Sequence, residues 1–427
     1  MVLSGRLVAL AALGVLLAAW SAGAVLVYAA LLAALTTADL ALAARIAALR
    51  LRREPSAPVR LHERGETVLL IGNTGRRPLH GTVRDAWVPS AGATPRSRSV
   101  TVPAGERRRV STALVPTRRG ERHTGRVTIR ARGPLGLAAR QRQLDAPGTL
   151  QVLPAFASRR FLPEKLSRLR QIDGAVLVRQ RGQGSEFDSL RSYVIGDDVR
   201  AIDWRATARS RDVVVRTWRP ERDRHIVLAI DTGRASAARV GDEPRLDAAL
   251  DASLLLGALA ARAGDRVALV AADIAVRARL GLAAGRDVLP RLVAALAPLE
   301  PALLETDPQL IAAEVLRQLP KRSLVVLFSS LDTAADTGLL PAARVLAARH
   351  VVVVASPSDP ALGVLASARA DATDVYTAAA VEIAMAARAR VIDQLGRLGA
   401  HVVVAPTDAF ASKVADMYLD LKAAGKL

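Results

Sequence analysis

Carboxylates and arginines crowd one stretch of the chain, residues 182–224. There Glu186, Asp188, Asp197, Asp198 and Asp203 interleave with Arg191, Arg200, Arg205 and Arg209. Paired carboxylates are the material of general acid–base catalysis, and Ser185 beside Glu186 adds a hydroxyl that a base could activate. No histidine falls inside the stretch to serve as that base. The same residues can instead form a salt-bridged network that braces the backbone, or a surface that binds a partner or substrate. Gly196-Asp197-Asp198 reads as a turn whose carboxylates accept the free N–H groups of a helix beginning near Val199. On that helix Val199, Ile202 and Ala206 would share one face.

Elsewhere the machinery for chemistry is sparse. His62, His80, His123, His225, His350 and His401 are scattered, with no His-Glu-x-x-His motif and no four-residue pairing. No phosphate-binding Gly-x-x-x-x-Gly-Lys-Ser/Thr loop occurs, and the run GQGSEF lacks the lysine and third glycine of nucleotide fingerprints. No Gly-x-Ser-x-Gly elbow is present. With no cysteine there is no disulfide framework, thiolate metal site or cysteine nucleophile, a composition that fits a reducing compartment.

Three kinds of element must position these residues. At 427 residues two or three domains are expected. From Leu7 to Ala38 no Asp, Glu, His, Lys or Arg occurs, a run longer than the roughly 20 residues of one span. With Ser21-Ala22-Gly23-Ala24 as a turn and Trp20 and Tyr28 as interfacial anchors, residues 1–50 read as a transmembrane helical hairpin. Arg6 precedes the run, and Arg45, Arg50, Arg52 and Arg53 come after it, so the positive-inside rule places the remaining domains on the cytoplasmic side of a bacterial inner membrane. The net charge of +20 is uneven: residues 1–225 hold 39 basic and 18 acidic side chains, the remainder 21 and 22. A basic half tethered beside a bilayer is drawn to anionic head groups.

Residues 57–155 alternate with period two between Gly, Pro and Asn turns, the pattern of an Ig-like β-sandwich. Along Arg126–Arg130 the basic and polar positions alternate with Val127 and Ile129, giving a solvated basic face. Residues 156–224 form the polar junction. From residue 225 apolar strands alternate with helices: Ile226–Ile230 ending at Asp231, a helix Leu246–Ala263, then strands at 266–270, 275–278, 323–328, 351–354 and 401–404. Six strands with intervening helices predict a doubly wound α/β domain over 225–427. Its ligand sites lie beyond the carboxyl ends of the strands, which selects Asp231, the Ser329-Ser330 pair and the loop near Thr306.

The junction resembles the bacterial domain of unknown function 58 family. The matching elements are Gly184-Ser185-Glu186-Phe187, Leu190-Arg191-x-Tyr193, Gly196-Asp197-Asp198-x-Arg200-x-Ile202-Asp203-Trp204, Ala208-Arg209 and the strand ending at Asp231. The resemblance implies a von Willebrand factor A-like fold for the α/β domain and a MoxR-type AAA+ ATPase as partner. Von Willebrand A domains often hold Mg²⁺ through Asp-x-Ser-x-Ser, a Thr and a later Asp. Here the first element reads Asp231-Thr232-Gly233-Arg234-Ala235 and the later one Phe328-Ser329-Ser330-Leu331-Asp332. The remnant ligand set Asp231, Thr306 and Ser330 is degenerate, and Arg234 adds positive charge, so no tight metal site is expected.

These readings combine into a membrane-anchored adaptor that presents a von Willebrand factor A-like domain to another protein. A cell-envelope hydrolase with its chemistry in the junction is the alternative. Nucleic-acid binding is not expected: tethering beside a membrane assigns the basic charge to lipid, and the basic strands lack the interleaved aromatics of single-strand recognition.

Overall fold

The computed structural model describes residues 2–16, 21–179, 186–219, 224–241, 243–331 and 338–427. The chain divides into two units, Met1–Ala155 and Phe156–Leu427.

The first unit begins with a short strand β1 (Val2–Leu3) and two apolar helices, α1 (Gly5–Gly14) and α2 (Ala22–Leu42). Each helix opens on a serine cap: Ser4 Oγ accepts from the Leu7 N–H and Ser21 Oγ from the Ala24 N–H. The helices pack through Tyr28, whose hydroxyl donates to the Leu10 carbonyl at 2.8 Å and braces the pair. Trp20, the other expected anchor, lies outside the described residues. At 10 residues α1 is about 15 Å long, half a hydrocarbon core. Among the described residues one stretch, Ala22–Ala48, is long and apolar enough to cross a membrane by length and composition. A shorter apolar helix, α1, stands beside this one spanning candidate.

Strands β2 (Leu49–Arg53), β3 (Val59–Arg60), β4 (Gly65–Asn73), β5 (Leu79–Trp87), β6 (Ala93–Thr94), β7 (Arg98–Val102), β8 (Arg107–Leu114), β9 (Gly120–Arg132) and β10 (Ala138–Leu153) complete the unit. One sheet runs β1-β10-β9-β5-β7 with β3 beside β10; the other runs β2-β4-β8-β6. Period-two alternation sends Leu69, Ile71 and Val110 from one sheet and Val83, Val127 and Ile129 from the other into a shared core. At its edge Arg53 and Asp85 form a buried bidentate pair at 2.8 Å, and the Trp87 indole N–H donates to the same carboxylate at 3.0 Å. On β9 Arg126 and Arg130 are exposed between buried Val127, Ile129 and Ala131.

The second unit opens with α3 (Leu162–Arg179), a helix that the charged look of the junction conceals. Its Leu162, Leu166 and Leu169 recur at helical spacing and pack into the α/β core. Next come β11 (Glu186–Ser192), α4 (Trp204–Thr207) and β12 (Val214–Arg219). The α/β fold proper consists of β13 (His225–Asp231), α5 (Arg234–Ala237), β14 (Arg239–Val240), β15 (Glu243–Pro244), α6 (Arg245–Arg262), β16 (Arg266–Ala272), β17 (Val276–Ala283), α7 (Val288–Leu296), α8 (Pro308–Gln318), β18 (Leu324–Phe328), α9 (Leu339–Ala347), β19 (Val351–Ser358), α10 (Ala361–Ser367), α11 (Ala372–Arg397), β20 (His401–Pro406) and α12 (Thr407–Ala423).

The six-stranded sheet has the order β17-β16-β13-β18-β19-β20, parallel except for the antiparallel edge strand β17. Order reverses at β13, so its carboxyl end is the switch point of a doubly wound sheet. Every residue of β13 is buried, as a central parallel strand covered on both faces requires. Helices α6, α7 and α12 cover one face and α8, α9 and α11 the other.

His350, just before β19, is 5% exposed, and neither ring nitrogen has a hydrogen-bond partner among the described residues. Burial, helped by Arg349, pushes its pKa down, and His401 is lowered by burial and by Lys426. The unfolded chain therefore binds protons in a range where the folded chain does not, so stability falls as pH drops below about 6.5 toward the folded values. Urea unfolding of the second unit should show a lower midpoint at pH 5.5 than at pH 7.5. His350→Leu should flatten that dependence; an unchanged slope would contradict this account.

Candidate functional site

The switch point carries a tightly bonded polar cluster. Asp231, at the end of β13, is buried, and its Oδ1 accepts from the Gly233 N–H at 2.8 Å and from the Thr306 hydroxyl. Its Oδ2 accepts from the Ser329 hydroxyl at 2.9 Å. The 302–307 loop is sewn over the strand ends: Ala302 N–H donates to the Thr232 carbonyl, Arg234 N–H to that of Leu304 and Asp307 N–H to that of Asp273. Gly233 is required by this approach, because a Cβ there would run into the Thr306 hydroxyl.

Beside it Asp273, also buried, accepts from Thr232 Oγ1 at 3.2 Å, the Ala275 N–H at 3.1 Å and Arg277 Nε at 2.7 Å. Burial alone would raise its pKa, but the Arg277 guanidinium and these donors outweigh it and hold the carboxyl low. Ser330 lies 3.4 Å from Arg245 Nη1. Around this floor the rim is mixed, with exposed Ile274, Leu303 and Leu304 and an exposed Arg234–Glu305 pair.

Mg²⁺ wants an octahedron of oxygens with at least one free carboxylate. The one carboxylate at the expected position already accepts three protein donors, the Thr306 and Ser329 protons point into it, and the next carboxylate is held by Arg277. Among the described residues no group of three or more His, Cys, Asp or Glu could hold a metal ion. Among the described residues the donor set does not fit Mg²⁺. Its geometry is that of a staple joining β13, the 302–307 loop and β18. Asp231→Ala should leave three donors unsatisfied and cost about 2–3 kcal/mol, while millimolar Mg²⁺ or EDTA leaves the wild-type unfolding midpoint unmoved. A midpoint raised by Mg²⁺ and lost on chelation would overturn the staple.

The junction folds into an antiparallel ribbon, β11 against β12, crowned by a head of residues 193–213. The head is closed by the Tyr193 N–H on the Val213 carbonyl at 2.7 Å, the Asp203 N–H on that of Val214 at 2.9 Å and a bridge between Ile202 and Val215. Its acids build it. Asp197 accepts from Arg191 at 2.5 Å and from the Val194 N–H at 2.9 Å, and both bonds hold its pKa below the usual carboxylate range. Asp198 accepts from the Arg200 N–H at 2.9 Å. Asp203 caps α4 by accepting the Arg205 and Ala206 N–H groups at 3.0 Å and takes Arg216 Nε at 2.9 Å, which lowers its pKa chiefly through the Ala206 bond. Gly196 sits at φ +106°, in the left-handed region the turn needs.

Two expectations are corrected here. The helix expected from Val199 is a single 3₁₀ turn, Val199–Ala201, followed by the short α4; the bridge to Val215 takes Ile202 out of any helical face. Nor do the interleaved charges pair throughout: Arg200, Arg205, Arg209 and Arg211 are exposed and form no ion pair among the described residues. Beside them the apolar side chains face water, Ile195 at 96% and Trp204 at 70% exposure, with Val194 and Val199 also exposed.

Of the sequence-selected residues, Gly184 and Ser185 lie outside the described residues, as does Asp332. Glu186 and Phe187 pair along the backbone with Arg219 and Trp218. Arg191, Tyr193, Gly196, Asp197, Asp198, Arg200, Asp203, Trp204 and Arg209 belong to the ribbon and its head. Asp231 and Thr306 meet at the switch point, and Ser330 stands next to Ser329 there. Sequence reasoning gives no role to Asp273, Thr232 or Arg245, which meet across distant loops through the Thr232–Asp273 and Arg245–Ser330 contacts.

Solved structures similar to parts of the chain include the conserved hypothetical protein BatB from Bacteroides thetaiotaomicron (13% identity, TM-score 0.31), covering 46% of this chain and 98% of that one. The PapD-like domain 7 of human CEP192 (12% identity, TM-score 0.19) covers 25% of this chain and 84% of that one. Uncharacterized protein Rv1480 of Mycobacterium tuberculosis is 28% identical over 182 residues, 42% of this chain and 56% of that protein. Uncharacterized protein YeaD of Bacillus subtilis is 28% identical over 119 residues, 28% of this chain and 29% of that protein. The chain thus spans about half or less of the length of these curated relatives. Residues 189–394, from the junction ribbon to the last turns of α11, match the family described as Protein of unknown function DUF58.

Proposed function

We propose that this protein is a membrane-anchored adaptor with a von Willebrand factor A-like α/β unit, and that the head of residues 193–213 docks a MoxR-type AAA+ ATPase. The observation that carries this reading is the division of labour within the head. Asp197, Asp198 and Asp203 are spent on caps and braces, while Ile195, Val194, Val199, Trp204 and four arginines without an ion pair among the described residues face outward. Exposed apolar surface framed by charge marks a docking site, and Trp, Tyr and Arg are the side chains that dominate binding at interfaces. Asp197 and Asp203 are committed to arginines and backbone N–H groups, which counts against their use as acid or base in a hydrolytic centre.

Retention of the N-terminal helix as an anchor, in place of cleavage as a signal, is supported by Asp39. This aspartate is fully buried in the first unit, where it accepts three backbone N–H groups of the β9–β10 turn. Cleavage after it would leave those donors unsatisfied, and cleavage before it would remove the helix that holds the carboxylate in place. The basic flanks Arg45, Arg50, Arg52 and Arg53 favour the cytoplasmic side of an inner membrane.

Affinity purification of the full chain from its native membranes, with ATP hydrolysis blocked, tests the reading. The wild type should retain an AAA+ ATPase, and Ile195→Asp with Trp204→Ala should lose it by about 100-fold or more. Equal retention by the variant, or no ATPase at all, would refute the assignment.

A further inference from the structure

The base of the two apolar helices is built into the β unit. Asp39, in the last turn of α2, accepts from the N–H groups of Leu135 at 2.7 Å, Leu137 at 2.8 Å and Ala138 at 3.0 Å. The end of the helix is held from two more directions, since Arg140 Nε donates to the Leu40 carbonyl at 3.1 Å and Arg77 to that of Ala41. At the start of α1, β1 pairs antiparallel with β10 through Val2–Ala139 and Leu3–Ala138, and the Ser4 N–H donates to the Leu137 carbonyl at 3.0 Å. Both helices therefore rise from one edge of the unit. Outside that edge Val8, Leu13, Val15, Leu16, Leu26, Val27 and Leu31 are exposed on their flanks.

What surrounds the base has one chemistry. Arg6 stands against Gly136, Arg132 precedes the turn that holds Asp39, and Arg77 and Arg140 grip the helix end. Arg6, Arg77 and Arg132 are exposed, while every carboxylate oxygen of Asp39 is turned inward to backbone donors. The turn itself, Gly133-Pro134-Leu135-Gly136, presents Leu135 at 47% exposure beside the helix. An apolar helix leaving the domain through a collar of arginines next to an exposed leucine matches the layering of a bilayer, with hydrocarbon, interface and anionic phosphate in order.

We infer that this edge is a lipid seat: Leu135 enters the interface, and Arg6, Arg77 and Arg132 bind the phosphates of anionic phospholipids, fixing the β unit against the bilayer. The inference rests on the reading of Ala22–Ala48 as an anchor and adds a lipid selectivity and an orientation to it.

The cysteine-free chain allows a clean test. Full-length protein carrying Leu135→Cys, or Ser97→Cys at the opposite end of the β5–β7 pair, is labelled with an environment-sensitive fluorophore. It is then reconstituted into vesicles of phosphatidylcholine with or without one quarter phosphatidylglycerol. The label at 135 should be blue-shifted and quenched by doxyl lipids, and the label at 97 should not. Arg6→Glu with Arg132→Glu should reduce the preference for phosphatidylglycerol by roughly fivefold per arginine. If the protein floats with vesicles while position 135 reads as aqueous and lipid composition has no effect, the seat is wrong and the anchor stands. If it fails to float in detergent-free buffer, both fall.

Discussion

Asp39→Ala should accelerate hydrogen exchange of the Leu135, Leu137 and Ala138 amides by about 100-fold, corresponding to roughly 3 kcal/mol of lost local stability. The reason is arithmetic of donors. The wild-type carboxylate satisfies three N–H groups, two of them in fully buried bonds, and alanine satisfies none. Gly133 adds a constraint from the other side, because any Cβ there would collide with Asp39. Asp39→Asn keeps one acceptor oxygen and should give an intermediate rate. Unchanged exchange at these three amides in the alanine variant would mean that the helix base is not built as described.

The second large effect lies in the α/β unit. Asp265, between α6 and β16, is fully buried and accepts from the Tyr418 hydroxyl at 2.6 Å and from Lys422 Nζ at 3.4 Å, with both partners on α12. Lys422 Nζ also reaches the Tyr418 hydroxyl at 3.2 Å. Burial raises the Asp265 pKa, and Lys422 is the foremost group opposing that rise. Lys422→Met would strand a buried carboxylate and should destabilise the unit by about 3–5 kcal/mol. Without its cation the carboxyl's folded pKa climbs further above the unfolded value, so the folded state takes up a proton first. The penalty is then full at alkaline pH and relieved as pH falls through that raised value. Urea unfolding at pH 8 and pH 5 reads this directly, and adding Asp265→Asn should recover part of the loss at pH 8. An equal loss at both pH values, with no rescue, would contradict the buried-pair account.

Where apolar periodicity is unbroken, the sequence reads through to the fold. Ile226–Ile230, Val267–Val270 and Val351–Val354 are strands because continuous branched residues suit a sheet covered on both faces. Helix α3 is hidden for the opposite reason: Glu164, Lys165, Arg168 and Arg170 dominate its composition, although Leu162, Leu166 and Leu169 keep a helical stripe. Lys165 is in fact buried, and its ion pair with Asp416 at 2.8 Å joins residues 251 positions apart.

In the head, Asp198 is a good cap and points to a helix at Val199, while the competing Asp203 cap wins through its bond to Arg216 on β12. By sequence Asp39 merely ends an apolar run, since its partners lie 96 to 99 residues away. Thr306 and Ser329 meet Asp231 across 75 and 98 residues, a convergence set by strand order and invisible to spacing.

The adaptor reading turns on what touches the head. A photo-crosslinking amino acid at Ile195 of the full-length protein, activated in intact cells, measures that contact. A protein adduct containing an AAA+ ATPase is expected, and Arg200→Glu with Arg205→Glu should abolish it. Crosslinks to lipid alone, or to no partner at any ATP level, would contradict the adaptor reading.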